Sequence, residues 1–145
     1  MSILYVDTSA LVRAYLEDEP DHDALRTTIL EGDGPVATSD ISRVELARAL
    51  KAAERAGRLD EARPVLARID HHLAGNPILT IRLDPVALVP RSRELVLEYR
   101  LGTLHALHLA VALSLGAWAG GEEVVLVTRD AGQASAARLL GLGVL

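Results

Sequence analysis

Short apolar runs alternate along the chain with segments in which apolar residues recur every three or four positions. The runs predict strands, and the periodic segments predict helices. Strands are expected at 2–6, 35–38, 78–83 and 122–128, and helices at 10–15, 22–30, 40–56, 59–73, 86–99, 104–120 and 131–140. Helices between successive strands favour a parallel sheet with right-handed crossovers, so the pattern predicts an α/β fold.

Capping and turn residues add detail to this pattern. Thr8 or Ser9 is expected to cap the first helix, and Ser39 or Asp40 the third. Pro64 predicts a kink or a restart within the fourth helix. The sequence shows no linker, internal repeat or low-complexity tract, so we expect residues 1–145 to form a single domain.

Composition narrows the chemistry available to this domain. The chain has 145 residues, of which 50% are hydrophobic but only 3% aromatic, so Leu, Val, Ile and Ala must fill the core. It contains no cysteine, which excludes disulfides, thiolate metal sites and a cysteine nucleophile. The first residues lack a basic segment, and Asp7 interrupts the early apolar run, so we expect no signal peptide and a cytoplasmic location.

Two further features bear on partners. The stretch 104–120 is apolar, but it is shorter than the roughly 20 residues that usually span a bilayer, and it contains His105 and His108. We therefore expect a buried core helix and no membrane.

The formal net charge of −5 argues against binding of nucleic acid through bulk electrostatics, so any contact with RNA must be local.

Carboxylates directly follow two of the predicted strands. Asp7 ends the first strand in YVDTS, and Asp130 ends the last one in LVTRD. In open α/β sheets ligands bind beyond the carboxyl ends of the strands, so we expect both side chains to face one crevice. The alternative is that each aspartate only caps the helix that follows it.

Glu45 lies in the middle of a predicted helix, on a stripe of apolar or small residues. The stripe consists of Ile41, Glu45, Ala49 and Ala52. A carboxylate on a buried stripe is costly unless it is paired or binds a cation. An exposed Glu45, or one paired with Arg43 or Arg48, is the alternative. Three carboxylates around one crevice repel one another, and oxygen ligands without cysteine suit Mg²⁺ or Mn²⁺ better than zinc.

Four segments carry a resemblance that spans essentially the whole chain. They read VDTSALVRAYL, SDISRVELARAL, RLGTLHALHLAVAL and VVLVTRDAGQASAARLLGLGV. In this order and spacing the sequence resembles the PIN-domain ribonucleases, and within them the VapC-like toxins of bacterial type II toxin–antitoxin systems. The resemblance implies a PIN-like three-layer α/β/α domain with a central, mostly parallel sheet.

The resemblance also implies an activity and a site. It implies an Mg²⁺- or Mn²⁺-dependent endoribonuclease that hydrolyses RNA phosphodiester bonds, with Asp7, Glu45 and Asp130 as catalytic acids and metal ligands. The implied partners are a cognate antitoxin that inhibits the enzyme, the RNA substrate and a second copy in a homodimer. The hydroxyl residues that match positions around the metal, and are candidates to bind substrate, are Thr8, Ser9 and Thr128. Arg43 and Arg129, next to acids in the sequence, are candidates to contact RNA phosphates, or else form surface salt bridges.

One position departs from the family's pattern. His105 stands where the family usually has a further acid, and Gly102 where it commonly has arginine. His105 is therefore either a metal ligand or a neutral side chain that holds no metal. His108 shares a helix face with it by the i, i+3 spacing and is expected to be a hydrogen-bonded core histidine. Imidazole suits Mg²⁺ poorly, so we expect one metal ion at most, with a preference for Mn²⁺.

Two other functions stay open at this point. A PIN fold weakened at residue 105 could be a binding module that occupies RNA or titrates an antitoxin. An aspartyl-phosphate enzyme with Asp7 as the modified residue is disfavoured, because the only lysine, Lys51, does not follow a late strand. An antitoxin is expected to dock on the exposed parts of 12–16 and 47–53, unless their apolar residues belong to the core.

Overall fold

Five short parallel strands form the centre of the molecule. The computed structural model describes residues 2–145. The strands are β1 (Ile3–Val6), β2 (Val36–Ser39), β3 (Ile78–Ile81), β4 (Val124–Val127) and β5 (Gly143–Val144), in the order β3-β2-β1-β4-β5. Every neighbouring pair is parallel, with Tyr5 of β1 opposite Ala37 of β2 and Leu126 of β4. The predicted parallel sheet is confirmed.

Helices connect the strands and cover both faces of the sheet. Within residues 2–145 they are α1 (Thr8–Tyr15), α2 (His22–Leu30), α3 (Ile41–Arg55), α4 (Ala62–Leu73), α5 (Pro85–Tyr99), α6 (Thr103–Trp118) and α7 (Ala131–Leu139). Successive side chains of a strand point to opposite faces. Val6 and Val127 accordingly pack with α1 to α4, whereas Tyr5 and Leu126 pack with α5 to α7. The three-layer α/β/α arrangement is confirmed.

The structure corrects three details of the predicted elements. Asp7 occupies the cap position of α1 that was expected for Thr8 or Ser9. The fourth helix begins at Ala62, so Pro64 lies in its first turn, where a missing amide N–H breaks no hydrogen bond of the helix. The edge strand β5 has only two residues, which is too short to give a periodic pattern.

The apolar segment predicted at 104–120 forms α6, whose middle part lies in the core. Ala106 and residues 108–112 are buried, and the helix packs against α5 and β4. Among residues 2–145, no single helix is long and apolar enough to cross a bilayer, and α5 with α6 reaches that length and composition only as a pair bent by 117°. The prediction of a core helix is confirmed.

The packing of α3 on the sheet can be tested with two substitutions in the same helix. Leu46 is fully buried, whereas Val44 is 71% exposed. We expect Leu46→Ala to lower the free energy of unfolding by about 2–5 kcal/mol, because it leaves a cavity in the core. The matched control Val44→Ala should change it by less than about 0.5 kcal/mol. Urea unfolding followed by circular dichroism measures both, and equal losses would contradict the observed orientation of α3.

Candidate active site

Asp7 stands at the junction of β1 and α1, at the carboxyl edge of the sheet. It is only 1% exposed. Its Oδ1 accepts hydrogen bonds from the amide of Ala10 at 3.1 Å and the hydroxyl of Ser9 at 2.7 Å, and its Oδ2 accepts one from the hydroxyl of Thr128 at 2.7 Å. A buried carboxylate needs such donors to replace lost water. Asp7 therefore caps α1, as its alternative role required, at the carboxyl edge of the sheet.

Asp130 repeats this arrangement after β4. It caps α7, where its Oδ2 accepts a hydrogen bond from the amide of Gln133 at 2.7 Å. Its own amide donates to the hydroxyl oxygen of Thr128 at 3.1 Å. The same hydroxyl lies 2.7 Å from Asp7 and 3.1 Å from Oε1 of Gln133, so one proton serves two acceptors. Thr128 thus links the two acids at the strand ends.

Glu45 reaches the site from α3. Its Oε1 accepts hydrogen bonds from the hydroxyl of Thr8 at 2.8 Å and from Nε2 of His108 at 2.7 Å. Partial burial favours the neutral acid, but these two donors outweigh burial and hold the pKa of Glu45 below its ordinary value. Glu45 is therefore ionised at neutral pH.

The stripe of α3 that carries Glu45 does not face the core. Ile41, Glu45 and Ala49 are half-buried and Ala52 is exposed. The core-facing residues of α3 are Ser42, Leu46, Leu50 and Ala53. The expectation of a buried stripe was wrong, because α3 turns this face to an open cleft and places Glu45 at the boundary between cleft and core.

His108 connects Glu45 to Tyr5 of β1. A carboxylate can only accept, so Nε2 of His108 donates to Glu45, and Nδ1 is hydrogen-bonded to the Tyr5 hydroxyl at 2.8 Å. Burial raises the pKa of the Tyr5 phenol, which therefore remains a neutral donor. His108 is 1% exposed, as expected of a core histidine, and it also orients the carboxylate of Glu45.

His105 lies on the side of the site formed by the first turn of α6. Its Nδ1 is 3.6 Å from Oδ2 of Asp130, and its side chain is 39% exposed. Its backbone carbonyl accepts a hydrogen bond from Nε2 of Gln133 at 3.0 Å. His105 also lines the same cleft as Glu45. Residue 105 therefore lies beside Asp130 and on the cleft, where the resemblance to the family implies a residue of the site.

A cleft of about 770 Å³ extends from these residues between α1, α3 and the start of α6. Thr8 and Ser9 line it, but neither Arg43 nor Arg129 does. Arg43 instead forms a salt bridge with Asp70 at 3.3 Å, and Arg129 one with Asp21 at 3.1 Å. These are the surface salt bridges that were the alternative role of both arginines. The arginines that do line the cleft are Arg48 and Arg55.

The carboxylate oxygens of Asp7, Glu45 and Asp130 suit a hard cation, but the three side chains are not arranged to bind one together. Among residues 2–145, no group of three or more His, Asp or Glu side chains has the spacing to hold a metal ion. Asp7 uses both oxygens to accept hydrogen bonds, whereas Oε2 of Glu45 and Oδ1 of Asp130 accept none within that part of the chain. A cation at this site would therefore require these side chains to rearrange.

Sequence reasoning missed two polar residues that support the acids, Tyr5 and Gln133. Tyr5 lies in an apolar strand, where no pattern distinguishes a structural tyrosine from one whose hydroxyl serves a site. Gln133 is fully buried on the same face of α7 as Ala136 and Ala137. That helical spacing in AGQASAA is a signal that could have identified Gln133 as a buried polar residue.

The fold and the acids at the sheet edge define a known class of protein. A PIN domain family model matches residues 4–139, and the chain belongs to the PIN-domain family. Within that family it groups with the VapC proteins, since it is 34% identical to Ribonuclease VapC46 of Mycobacterium tuberculosis over 152 aligned residues. That alignment covers 100% of this chain and 98% of the relative.

Solved structures share the fold at lower sequence identity. VapBC2 from Rickettsia felis, bound to a DNA fragment from its promoter, is 16% identical with a TM-score of 0.66, and the match covers 99% of this chain and 97% of that one. VapC20 from Mycobacterium tuberculosis, a sarcin-ricin loop cleaving toxin, is 17% identical with a TM-score of 0.67 over 92% and 94%. VapBC-1 from nontypeable Haemophilus influenzae is 16% identical with a TM-score of 0.62 over 99% and 96%. These likenesses confirm the PIN-like fold.

The contacts of Glu45 predict a pH-dependent effect on stability. Glu45→Gln keeps the shape but replaces two charge-assisted hydrogen bonds by neutral ones, so we expect the free energy of unfolding to fall by about 1 kcal/mol at neutral pH. Because folding lowers the pKa of Glu45, the wild-type advantage is present above the ordinary carboxyl pKa of about 4.3 and is lost as the pH falls below it. Chemical unfolding at a series of pH values measures the difference.

Glu98→Gln is the matched control for this comparison. Glu98 is exposed on α5 and forms no hydrogen bond or salt bridge within residues 2–145, so its substitution should change stability by less than about 0.5 kcal/mol. A Glu45→Gln variant that is as stable as the wild type at every pH would show that Thr8 and His108 do not hold a carboxylate.

Proposed function

We propose that this VapC-like protein is an endoribonuclease that hydrolyses RNA phosphodiester bonds beside Asp7, Glu45 and Asp130. Glu45 carries the proposal: two hydrogen bonds hold its ionised carboxylate on the wall of a cleft, in a chain whose relative is a ribonuclease. An ionised carboxylate next to bound RNA can accept a proton from the attacking water. The acid that the family usually has at residue 105 is not required for that role.

A divalent cation, Mg²⁺ or Mn²⁺, is part of the proposal. Asp7, Glu45 and Asp130 supply a charge of −3 and oxygen ligands, which suit a hard cation, and His105 is a fourth candidate ligand. A bound cation of this kind lowers the pKa of a water ligand and stabilises negative charge on the leaving oxygen. The partial exposure of Glu45 and Asp130 leaves room for the waters that Mg²⁺ retains.

The neighbouring hydroxyl groups orient the acids. Ser9 and Thr128 donate to Asp7, and Thr8 donates to Glu45, so each fixes a carboxylate that would otherwise rotate. Thr8 and Ser9 also line the cleft, and we propose that they contact the substrate there.

His105 favours a second candidate function, a binding module with little catalysis. Its imidazole lies 3.6 Å from Asp130, where a neutral ring brings one acceptor and no charge. Such a protein would still bind RNA or an antitoxin in the cleft. RNA cleavage assays separate the two candidate functions, since only an endoribonuclease cleaves RNA with turnover.

We further propose that a cognate antitoxin binds in the same cleft. The solved relatives include two VapBC structures. Of the docking surface expected on the first helices, residues 14–16 are buried in the core, whereas Val12, Ala49 and Ala52 line the cleft. An antitoxin segment seated there would cover Glu45 and exclude RNA.

The homodimer stays a prediction. The exposed apolar residues of α5 support it, because a second copy could bury them: Val86 is 85% exposed, Val89 56% and Leu97 72%.

The catalytic role of Asp7 can be separated from its capping role. Asparagine caps helices as well as aspartate does, so Asp7→Asn should leave the fold intact. We expect it to lower RNA cleavage by more than the roughly 10- to 100-fold that loss of an indirect metal partner costs. The matched control is Asp84→Asn, which alters the cap of α5 away from the site and should retain full activity. Cleavage that persists in Asp7→Asn, or in excess chelator, would overturn the metal-dependent mechanism.

His105→Asp tests whether residue 105 takes part in metal binding. A carboxylate would add a charge of −1 beside Asp130, so we expect Mg²⁺ affinity to rise about tenfold, or about 1.4 kcal/mol, and cleavage to increase. Isothermal titration with Mg²⁺ and Mn²⁺ gives the affinities, and the preference for Mn²⁺ over Mg²⁺ should weaken. Unchanged affinity and cleavage would show that residue 105 is not a ligand.

A further inference from the structure

Two arginines of α3 lie along the cleft without a role in the site described above. Arg48 and Arg55 both line it, at seven-residue spacing on one side of the helix. Glu45 precedes Arg48 by one turn. Glu45, Arg48 and Arg55 therefore form a row along α3 that begins at the acids.

Neither arginine forms a salt bridge. This holds for residues 2–145, in which Arg43, Arg58 and Arg129 each form one, and the charge of Arg55 acts on Glu54 only at longer range. Two guanidinium groups on the wall of a cleft matter in a chain with a net charge of −5, because its overall field repels polyanions. The cleft therefore supplies local positive charge beside the acids.

The shape of the cleft admits a single strand. Between the arginines the wall is formed by Ala49 and Ala52, whose small side chains leave a trough over the packed helices α1 and α3. At 1.5 Å per residue, Arg48 and Arg55 are about 10.5 Å apart along the axis, or about three nucleotide steps of a stacked strand.

Along the two arginines the cleft offers no platform for bases. Its other lining residues there include Val12, Val44 and Leu104, and the ring of His105 lies at the end near the acids. Stacking of a base on an aromatic ring contributes about 1–3 kcal/mol in proteins that bind single strands. Here the affinity must come from the sugar–phosphate backbone and from apolar contacts.

On the basis of the proposed function, we infer that Arg48 and Arg55 bind phosphates of an unpaired RNA strand. This strand runs along α3 away from Glu45. The strand is held by its backbone rather than by its bases. Arg48 contacts the phosphate nearer the acids, and Arg55 contacts one about three nucleotides further on. Both arginines bind substrate and take no part in the chemistry.

Salt-dependent binding tests this inference without turnover. Binding of a fluorescent, unstructured RNA oligonucleotide in chelator is measured across a range of salt concentrations. For single strands the slope of log K against log salt is about −0.7 per phosphate contact, so Arg48→Ala and Arg55→Ala should each reduce the slope by about 0.7. Each should also weaken binding up to about fivefold at low salt. In cleavage assays KM should rise and kcat should remain.

Arg138→Ala is the matched control. Arg138 is exposed near the end of α7, has no salt bridge within the described part of the chain and lies outside the cleft, so both slope and KM should match the wild type. Wild-type slopes and KM values in both cleft variants would overturn the inference while the ribonuclease assignment stood. Variants that bind RNA normally but escape inhibition by antitoxin would assign the arginines to the protein partner and also overturn it. A wild-type protein that neither binds nor cleaves RNA would instead overturn the proposed function.

Discussion

The hydrogen bond from His108 to Glu45 is the contact on which the site depends. It joins α6 to α3 across the end of β1, and Tyr5 completes it from within the sheet. A carboxylate at the edge of an apolar core loses much of its hydration, so the protein must supply donors or the group becomes neutral. The imidazole and the Thr8 hydroxyl supply them. As a result the side chain that would meet RNA stays charged and oriented before any ligand arrives.

Much of this architecture could be predicted from the sequence because it depends on local patterns. The strands that end at Asp7 and Asp130 are short runs of apolar residues, and the helices have clear periodicity. The meeting of Asp7 and Asp130 followed from topology, since parallel strands bring their carboxyl ends to one edge. Glu45 was placed with them by the resemblance to the family and by the expected buried stripe, and the structure contradicts the stripe. His108 was also identified as a core residue, since a histidine amid an apolar helix needs a buried partner.

The remaining features depend on contacts between distant parts of the chain. The orientation of α3, which exposes Ala52 and buries Leu50, depends on where α1 and α6 lie, and the helix pattern alone was compatible with either face. Arg43 and Arg129 were candidates because they adjoin acids in sequence, but their partners Asp70 and Asp21 come from other elements. Sequence adjacency says little about which arginine reaches a cleft. The edge strand β5 pairs with β4 alone, and its two residues are too few to give a periodic pattern.

The double role of the strand-end acids has an evolutionary consequence. Asp7 and Asp130 cap α1 and α7, and loss of such a cap to alanine costs about 1 kcal/mol of stability. Glu45 also contributes to stability through its hydrogen bonds from Thr8 and His108, whereas His105 caps no helix. Under relaxed selection for activity, the strand-end aspartates would therefore be retained for stability, whereas position 105 would change first. The two aspartates are accordingly weaker evidence of an active enzyme than the residue at position 105.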